Sequence, residues 1–388
     1  MSKNRQIVFL NNNNLMPRHM CQALILQGGN QISNSLIGLL FHWAGGLSAA
    51  SFYVPYKAVK HWSWEVYWIV GGVSSWIIAP WFFAYFQTND LFDVLSSTSN
   101  ETLFWCYFFG FAWGFGALTF GLTMRYLGLS LGMAVSLGLT TAFGTLIPPI
   151  YDGSVSTLIQ TTSGQVILLG VAITLCGIMV IAAAGRAKEK EMSDEDRKAS
   201  IAEFDFKKGI MVAVFCGIMS SCFAYALAAA EEIRLLTLAA GTDPLQQGLP
   251  ALCIILTGGM TTNLIWCGYL IIKNKSAGNF VGNVPEQTKR LSINILTWNY
   301  LFCALAGLIW YFQFFFYTMG ESLMGDYSFS SWALHMASII IFSTLWGFYF
   351  KEWKGVKTKT FLMVCSGIGI LVLSTIIIGW GNSIGSNL

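Results

Sequence analysis

The sequence predicts an all-α polytopic membrane protein: ten transmembrane helices in two inverted five-helix repeats, with both termini in the periplasm. Three observations carry that expectation. Of 388 residues, 55% are hydrophobic, 15% aromatic and only 11% charged, against about 25% charged in an average soluble protein. Runs of roughly 20 residues almost free of charge recur, the length that crosses about 30 Å of hydrocarbon at 1.5 Å per residue. Charge gathers instead in one island, residues 186–208, with 7 of the 22 Lys and Arg and 7 of the 19 Asp and Glu. Five apolar runs lie on each side of it.

Taken in order, residues 1–33 are polar, with an asparagine tract at 11–14 and no hydrophobic core long enough for a signal peptide. They are expected to be a disordered tail, or an upstream extension with initiation at Met16 or Met20. The first repeat, 34–185, holds spans at 35–56, 64–86, 102–124, 127–149 and 164–185. The charged linker 186–208 follows, its AEFDFKK end reading as a short surface helix. The second repeat, 209–388, holds spans at 209–230, 248–272, 293–319, 331–350 and 361–381. Pro55, Pro80, Pro148 and Pro149 are placed near span ends, where a missing N–H costs little. Gly110, Gly114, Gly128, Gly132, Gly164, Gly170 and Gly177 let helix backbones approach closely. The nine Cys include no CxxC pair and eight lie inside apolar runs. They read as packing residues, neither metal ligands nor a disulfide framework. Trp62, Trp64 and Trp353 are placed in interfacial belts.

Placement of charge sets the orientation. Loops after odd-numbered spans carry 18 of the 22 basic residues, including Lys57, Lys60, Arg125, the island, Lys273 and Lys351. Loops after even-numbered spans carry Arg234 alone, with Glu231, Glu232, Asp243, Asp90, Asp93, Asp152, Glu321 and Asp326. Basic residues are retained on the cytoplasmic side, so the odd loops are cytoplasmic. The net charge of +3 is too small to point to a nucleic-acid partner.

An odd number of spans on each side of the linker makes the second half cross the membrane upside down relative to the first. Residue patterns agree. The stretch 46–52, GLSAASF, aligns with 217–223, GIMSSCF, and carried onward this sets Lys60-His61 against Glu231-Glu232. Trp113 and Thr145-Leu146 pair with Trp310 and Thr344-Leu345, two residues out of register between the pairs. Inverted repeats of this kind give secondary transporters alternating access around a midplane site.

No GxSxG elbow, P-loop, HExxH or carboxylate pair deep in a span is present, so neither an enzyme nor an ATP-driven pump is expected, and no cofactor or metal. What remains is a short set of polar groups in hydrocarbon, each expensive enough to need a reason. His42, in the outer third of span 1, and His335, early in span 9, read either as proton carriers or as neutral imidazoles bonding a neighbouring helix. Glu65 and Arg125, at the cytoplasmic ends of spans 2 and 3, read either as a surface ion pair or as a gate, with Glu65 a further proton-coupling candidate. Asn263, Asn299, Gln313 and Thr119 offer uncharged donors and acceptors, and Trp113, Trp310 and Tyr311 offer flat faces. Amides beside aromatic faces suit a neutral polyhydroxylated ligand, since hydroxyls exchange water for amide hydrogen bonds while ring C–H groups stack. The same amides also serve as interhelical glue.

Seven segments carry a resemblance: 51–65 SFYVPYKAVKHWSWE, 120–132 FGLTMRYLGLSLG, 202–209 AEFDFKKG, 242–245 TDPL, 310–317 WYFQFFFY, 331–336 SWALHM and 351–353 KEW. In order and spacing they are similar to the L-rhamnose–proton symporters, a sugar-transporter family of the drug/metabolite transporter superfamily. The resemblance runs from about residue 38 to the end. It implies ten helices and import of L-rhamnose, with close sugars, together with protons through a bacterial inner membrane, the partners being sugar, protons and the lipid bilayer. His42, Glu65, Arg125, Asn263, Asn299, Gln313 and His335 fall on its family-like segments. The 30-odd additional N-terminal residues and a longer linker depart from it. Two rival readings are a metabolite or drug exporter, which for a cationic substrate needs a carboxylate deep in a span, and a non-transporting sensor, which needs a sizeable soluble domain.

Overall fold

The computed structural model describes residues 18–385, apart from 128, 152, 192–204, 285–288 and 326–327, and describes side chains from residue 34 onward except those of 124, 125, 129–131, 133, 134 and 385. Most of the charged linker, with its proposed surface helix, and the side chain of Arg125 therefore lie outside the described residues.

The described chain is helical throughout. Helices overlie the stretches expected as spans: α1 Arg18–Ser51, α2 Trp64–Gln87, α3 Asn100–Leu127, α4 Leu129–Tyr151 and α5 Thr162–Glu191, then α6 Phe206–Ala229, α7 Leu249–Lys273, α8 Ile293–Ser322, α9 Ser330–Tyr349 and α10 Thr358–Gly385. Among the described residues nine helices are long and apolar enough to cross a membrane, and the apolar part of α4 is the shorter stretch Val135–Tyr151. α1 begins at Arg18, inside the stretch expected to be a tail. Short helices Tyr53–Tyr56, Leu91–Ser97, Val155–Gln160 and Glu231–Ala239 fill the connections. α6 starts where the Asp205 carboxylate accepts the Lys208 backbone N–H, satisfying one of the orphan donors of a helix N-terminus.

Packing follows the glycines. α5 lies against α10, α6 against α3 and α4, and α1 against α8 and α9. A side chain on Gly110 of α3 would collide with the Ile255 carbonyl of α7, and one on Gly307 of α8 with the Gly71 carbonyl of α2. Gly46 of α1 sits on Ser338 of α9, and Gly217 of α6 on Leu139 of α4. In lipid there is no water to drive helices together, so backbone proximity and the dispersion it allows supply the association.

α2 is not one regular helix. Residues Ser74–Ile78 form a π-turn between two α-helical segments, closed by the Ala79 N–H donating to the Ser74 carbonyl five residues back. Pro80 explains its position. Expected near a span end, it falls well inside α2, where it has no N–H to offer the Trp76 carbonyl one turn earlier, and the ladder widens there. Ser74 Oγ then donates to the Ala304 carbonyl of α8 at 3.0 Å, tying the irregular turn to its neighbour. Trp62 is buried against Tyr300, with ring centroids 4.9 Å apart.

Replacing Gly110 or Gly307 by alanine is expected to destabilise the detergent-purified protein by about 1–3 kcal/mol through overpacking. Gly121→Ala, with open space around its Cβ, is expected to leave the thermal midpoint unchanged. Melting curves of the three variants check this.

Candidate functional site

α8 carries the site on one face. Trp310, Gln313 and Tyr317 recur at helical spacing, three and four residues apart, and therefore project the same way. Around Trp310 the rings form a cage. Phe52, just past the end of α1, lies 4.1 Å away, Phe314 6.1 Å, and Trp113 of α3 reaches the same Phe314 at 5.5 Å. Trp113 also meets Phe223 of α6 at 5.2 Å and Trp76 of α2 at 6.2 Å, and Trp76 meets Trp68 at 6.2 Å. Trp76 folds back over Gly72, where a Cβ would stand 2.7 Å from its ring. Phe52, Tyr56, Trp68, Ser75, Trp76 and Trp310 line a cavity of about 10 Å³, room for about one water.

Four buried polar atoms in and beside this cage have no hydrogen-bond partner within the protein: Ser75 Oγ, Trp76 Nε1, Trp310 Nε1 and Gln313 Nε2. Leaving such a group unpaired costs roughly 1–3 kcal/mol. A cluster of them marks this wall as a candidate site. Asn263 of α7 touches the same wall: its Oδ1 accepts the Trp68 indole N–H at 3.0 Å while its Nδ2 donates to the Gly259 carbonyl at 2.9 Å.

The two histidines meet. His42 is fully buried and His335 is 2% exposed, with ring centroids 6.4 Å apart. Tyr317, absent from the sequence-based candidates, packs against both, 5.3 Å from His42 and 5.2 Å from His335. Both ring nitrogens of His42 and Nδ1 of His335 lack partners. Gly45 joins this cluster to the cage. A Cβ there would lie 2.9 Å from the Gln313 carbonyl and 3.2 Å from the His335 ring.

Other candidates stand apart from the cage. Asn299 spends its amide on the connection between α1 and α2, accepting the Lys60 N–H at 3.0 Å and donating to the Lys60 carbonyl at 2.8 Å. Thr119 donates to the Phe115 carbonyl one turn back. Glu65 accepts from Ser276 Oγ at 2.7 Å and Asn274 Nδ2 at 3.0 Å, joining the start of α2 to the connection after α7. Sequence reading missed Phe52, Ser75, Trp76 and Tyr317. Only Tyr317 had a legible signal, its place one turn beyond Gln313.

A family model described as the L-rhamnose-proton symport protein (RhaT) matches residues 32–384. The chain belongs to this family. The L-rhamnose-proton symporter of Klebsiella pneumoniae (strain 342) is 37% identical over 346 residues, covering 89% of this chain and 97% of that protein. Its counterpart in Yersinia pestis (strain Pestoides F) is 38% identical over 349 residues, covering 89% and 98%. The one in Citrobacter koseri is 36% identical over 352 residues, covering 90% and 99%. The match to the symporter family spans the cage and the histidine pair alike.

Asn299→Ala is expected to leave both Lys60 backbone groups without their partner and to cost about 2 kcal/mol of stability. A lowered thermal midpoint, with sugar affinity held within about twofold, checks that Asn299 works as a loop clamp.

Proposed function

We propose that this protein imports L-rhamnose together with protons across a bacterial inner membrane, by alternating access of two inverted five-helix halves about the Trp113–Trp310 cage. The observation that carries the reading is the cluster of unpaired donors in an aromatic enclosure, joined through Gly45 to a buried histidine pair. A sugar brings what each part lacks. Its hydroxyls accept from Gln313, Trp310 and Trp76, and its C–H faces lie on the rings. Asn263 backs the Trp68 wall, and Trp113 closes the far side.

The inverted arrangement is supported by matched contacts. Trp113 meets Phe223 as Trp310 meets Phe52. Gly217 sits on Leu139 as Gly46 sits on Ser338, each partner six residues before the paired threonine. Cys216 Sγ donates to the Gly116 carbonyl at 3.4 Å, the place held by Gly45 and the Gln313 carbonyl in the other half. Thr102 donates to Glu232 in one connection, one position along from the residue aligned with Lys60, which Asn299 holds in the other. With the basic loops in the cytoplasm, both termini are periplasmic and the charged linker is cytoplasmic. Glu65 stays a candidate for the cytoplasmic gate, with Arg125.

The cage, with room for one water, is in a closed conformation, and the wall between Phe52 and Trp310 has to part for a sugar. His42 and His335 hold the transported proton between them, because a neutral imidazole gains a proton without leaving the working pH range. At ~150 mV one charge moving inward gains about 3.5 kcal/mol. A gradient of ~0.5 pH unit adds about 0.7 kcal/mol. The total supports accumulation of roughly a thousandfold.

Uptake into proteoliposomes tests this. Rhamnose inflow is expected to alkalinise the outside and to quicken when the interior is made negative, and failure of both defeats the symport reading. Gln313→Ala and Trp310→Ala are each expected to raise the KM for rhamnose about tenfold, the effect of losing about 1.4 kcal/mol. His42→Ala is expected to abolish accumulation above equilibrium.

A further inference from the structure

His42 and His335 have almost no surface, so a proton bound for them needs a route. The face of α8 that carries Trp310, Gln313 and Tyr317 continues one turn further to Glu321. Sequence reading placed Glu321 in the outer loop after span 8. In the structure it belongs to the last turn of α8, its side chain only 15% exposed, with the carboxylate 3.9 Å from Arg234 Nη1. Arg234 sits on the helix Glu231–Ala239 that connects α6 to α7. It donates from Nη1 to the Leu227 carbonyl at 2.9 Å and from Nε to Glu231 at 3.0 Å. Glu321 thus shares one cation with Glu231. The titratable and charged groups around it are Arg234 and Glu231 from the connection and Tyr317 from its own helix. Beyond Tyr317 lie His42 of α1 and His335 of α9.

We propose that Glu321 is the proton acceptor at the outer mouth of the symport path, that Arg234 closes over it as a gate, and that Tyr317 passes the proton to the His42–His335 pair. This rests on the proton-coupled reading above. A proton from outside water adds to the ionised carboxylate. With Glu321 neutral, its attraction to Arg234 is lost and the connecting helix is free to part from α8. The carboxyl O–H then gives its proton to the Tyr317 oxygen as the tyrosine's own proton passes to an imidazole nitrogen. The tyrosine ends as it began, and one imidazole is charged. Glu321, ionised again, recaptures Arg234 and shuts the outer face before the imidazolium releases its proton inward. A carboxylate held by a single shared cation at a membrane face is suited to this cycle, because its partner can be released by neutralising one charge.

The test uses the full chain in proteoliposomes, as wild type, E321Q and R234Q. Two modes are measured with labelled rhamnose: accumulation driven by an acid exterior, and exchange against unlabelled sugar at equal pH. E321Q is expected to keep exchange within about twofold while accumulation falls from roughly a thousandfold to equilibrium. R234Q removes the cation that favours ionised Glu321, so half-maximal uptake is expected to move about one pH unit toward alkaline. A purely structural role would lower both modes together and leave the pH profile in place. That result, or E321Q accumulating as wild type does, overturns the proposal. If E321Q does not fold, the R234Q profile decides alone. Wild type that moves rhamnose without protons defeats the symport reading instead.

Discussion

Everything in the site depends on how closely α1 approaches α8. Gly38 lies against the Gly320 carbonyl, where a Cβ would stand 3.1 Å away, and Gly45 lies against the Gln313 carbonyl. Gly320 in turn faces His42, whose Nε2 would be 2.8 Å from any side chain there. Three absent side chains thus let two backbones run almost in contact. That contact sets a histidine from one helix at the level of an amide and a tyrosine from the other. Any bulkier residue would separate His42 of α1 from Gln313 and Tyr317 of α8. In lipid, where association relies on dispersion and backbone fit, such contacts hold the bundle together and place its chemistry at once.

The site works against stability, and the surrounding helices offset it. Ser75, Trp76, Trp310 and Gln313 each leave a buried polar atom unpaired, at about 1–3 kcal/mol apiece. Other buried polar atoms are satisfied between helices: Trp332 Nε1 donates to the Thr140 carbonyl at 2.9 Å, and Thr174 donates to Ser374 at 3.0 Å across α5 and α10. The four unsatisfied atoms at the cage stand beside the rings of Trp76 and Trp310. A ligand that filled them would recover hydrogen bonds and ring contact together.

Much of this was legible in the sequence, for identifiable reasons. Span positions followed from hydrophobic length, and α8, expected at 293–319, runs Ile293–Ser322. Trp113, Trp310 and Gln313 stood out because amides and indoles at membrane depth are unusual. The histidines stood out as well, but their meeting did not, because it depends on α1 and α9 packing side by side. Ser75 and Trp76 were hidden because a serine and a tryptophan in an apolar run carry no signal until Pro80 is seen to disturb the ladder above them. Glu321 was misread because a carboxylate ordinarily ends a span, whereas here Arg234, from a connection far away in the chain, gives it a partner and lets α8 continue. Asn299 and Glu65 looked like site residues because burial of polar groups was the criterion. Their partners, backbone and loop, are not readable from one strand of letters.

The irregular turn in α2 has a mechanical consequence. A continuous helix transmits rotation along its whole length, so a disturbance at one membrane face would reach the other undiminished. With the ladder interrupted at Ser74–Ile78, α2 is two rods and a joint at the depth of the cage. One rod carries Glu65 and Trp68. The other carries Phe83, which stacks on Tyr311 of α8 at 5.4 Å. Passing one residue through the joint would turn that residue by about 100° about the helix axis, while the rods on either side keep their own ladders. The π-turn that accompanies Pro80 therefore places the break in the α2 ladder beside the cage wall formed by Ser75 and Trp76.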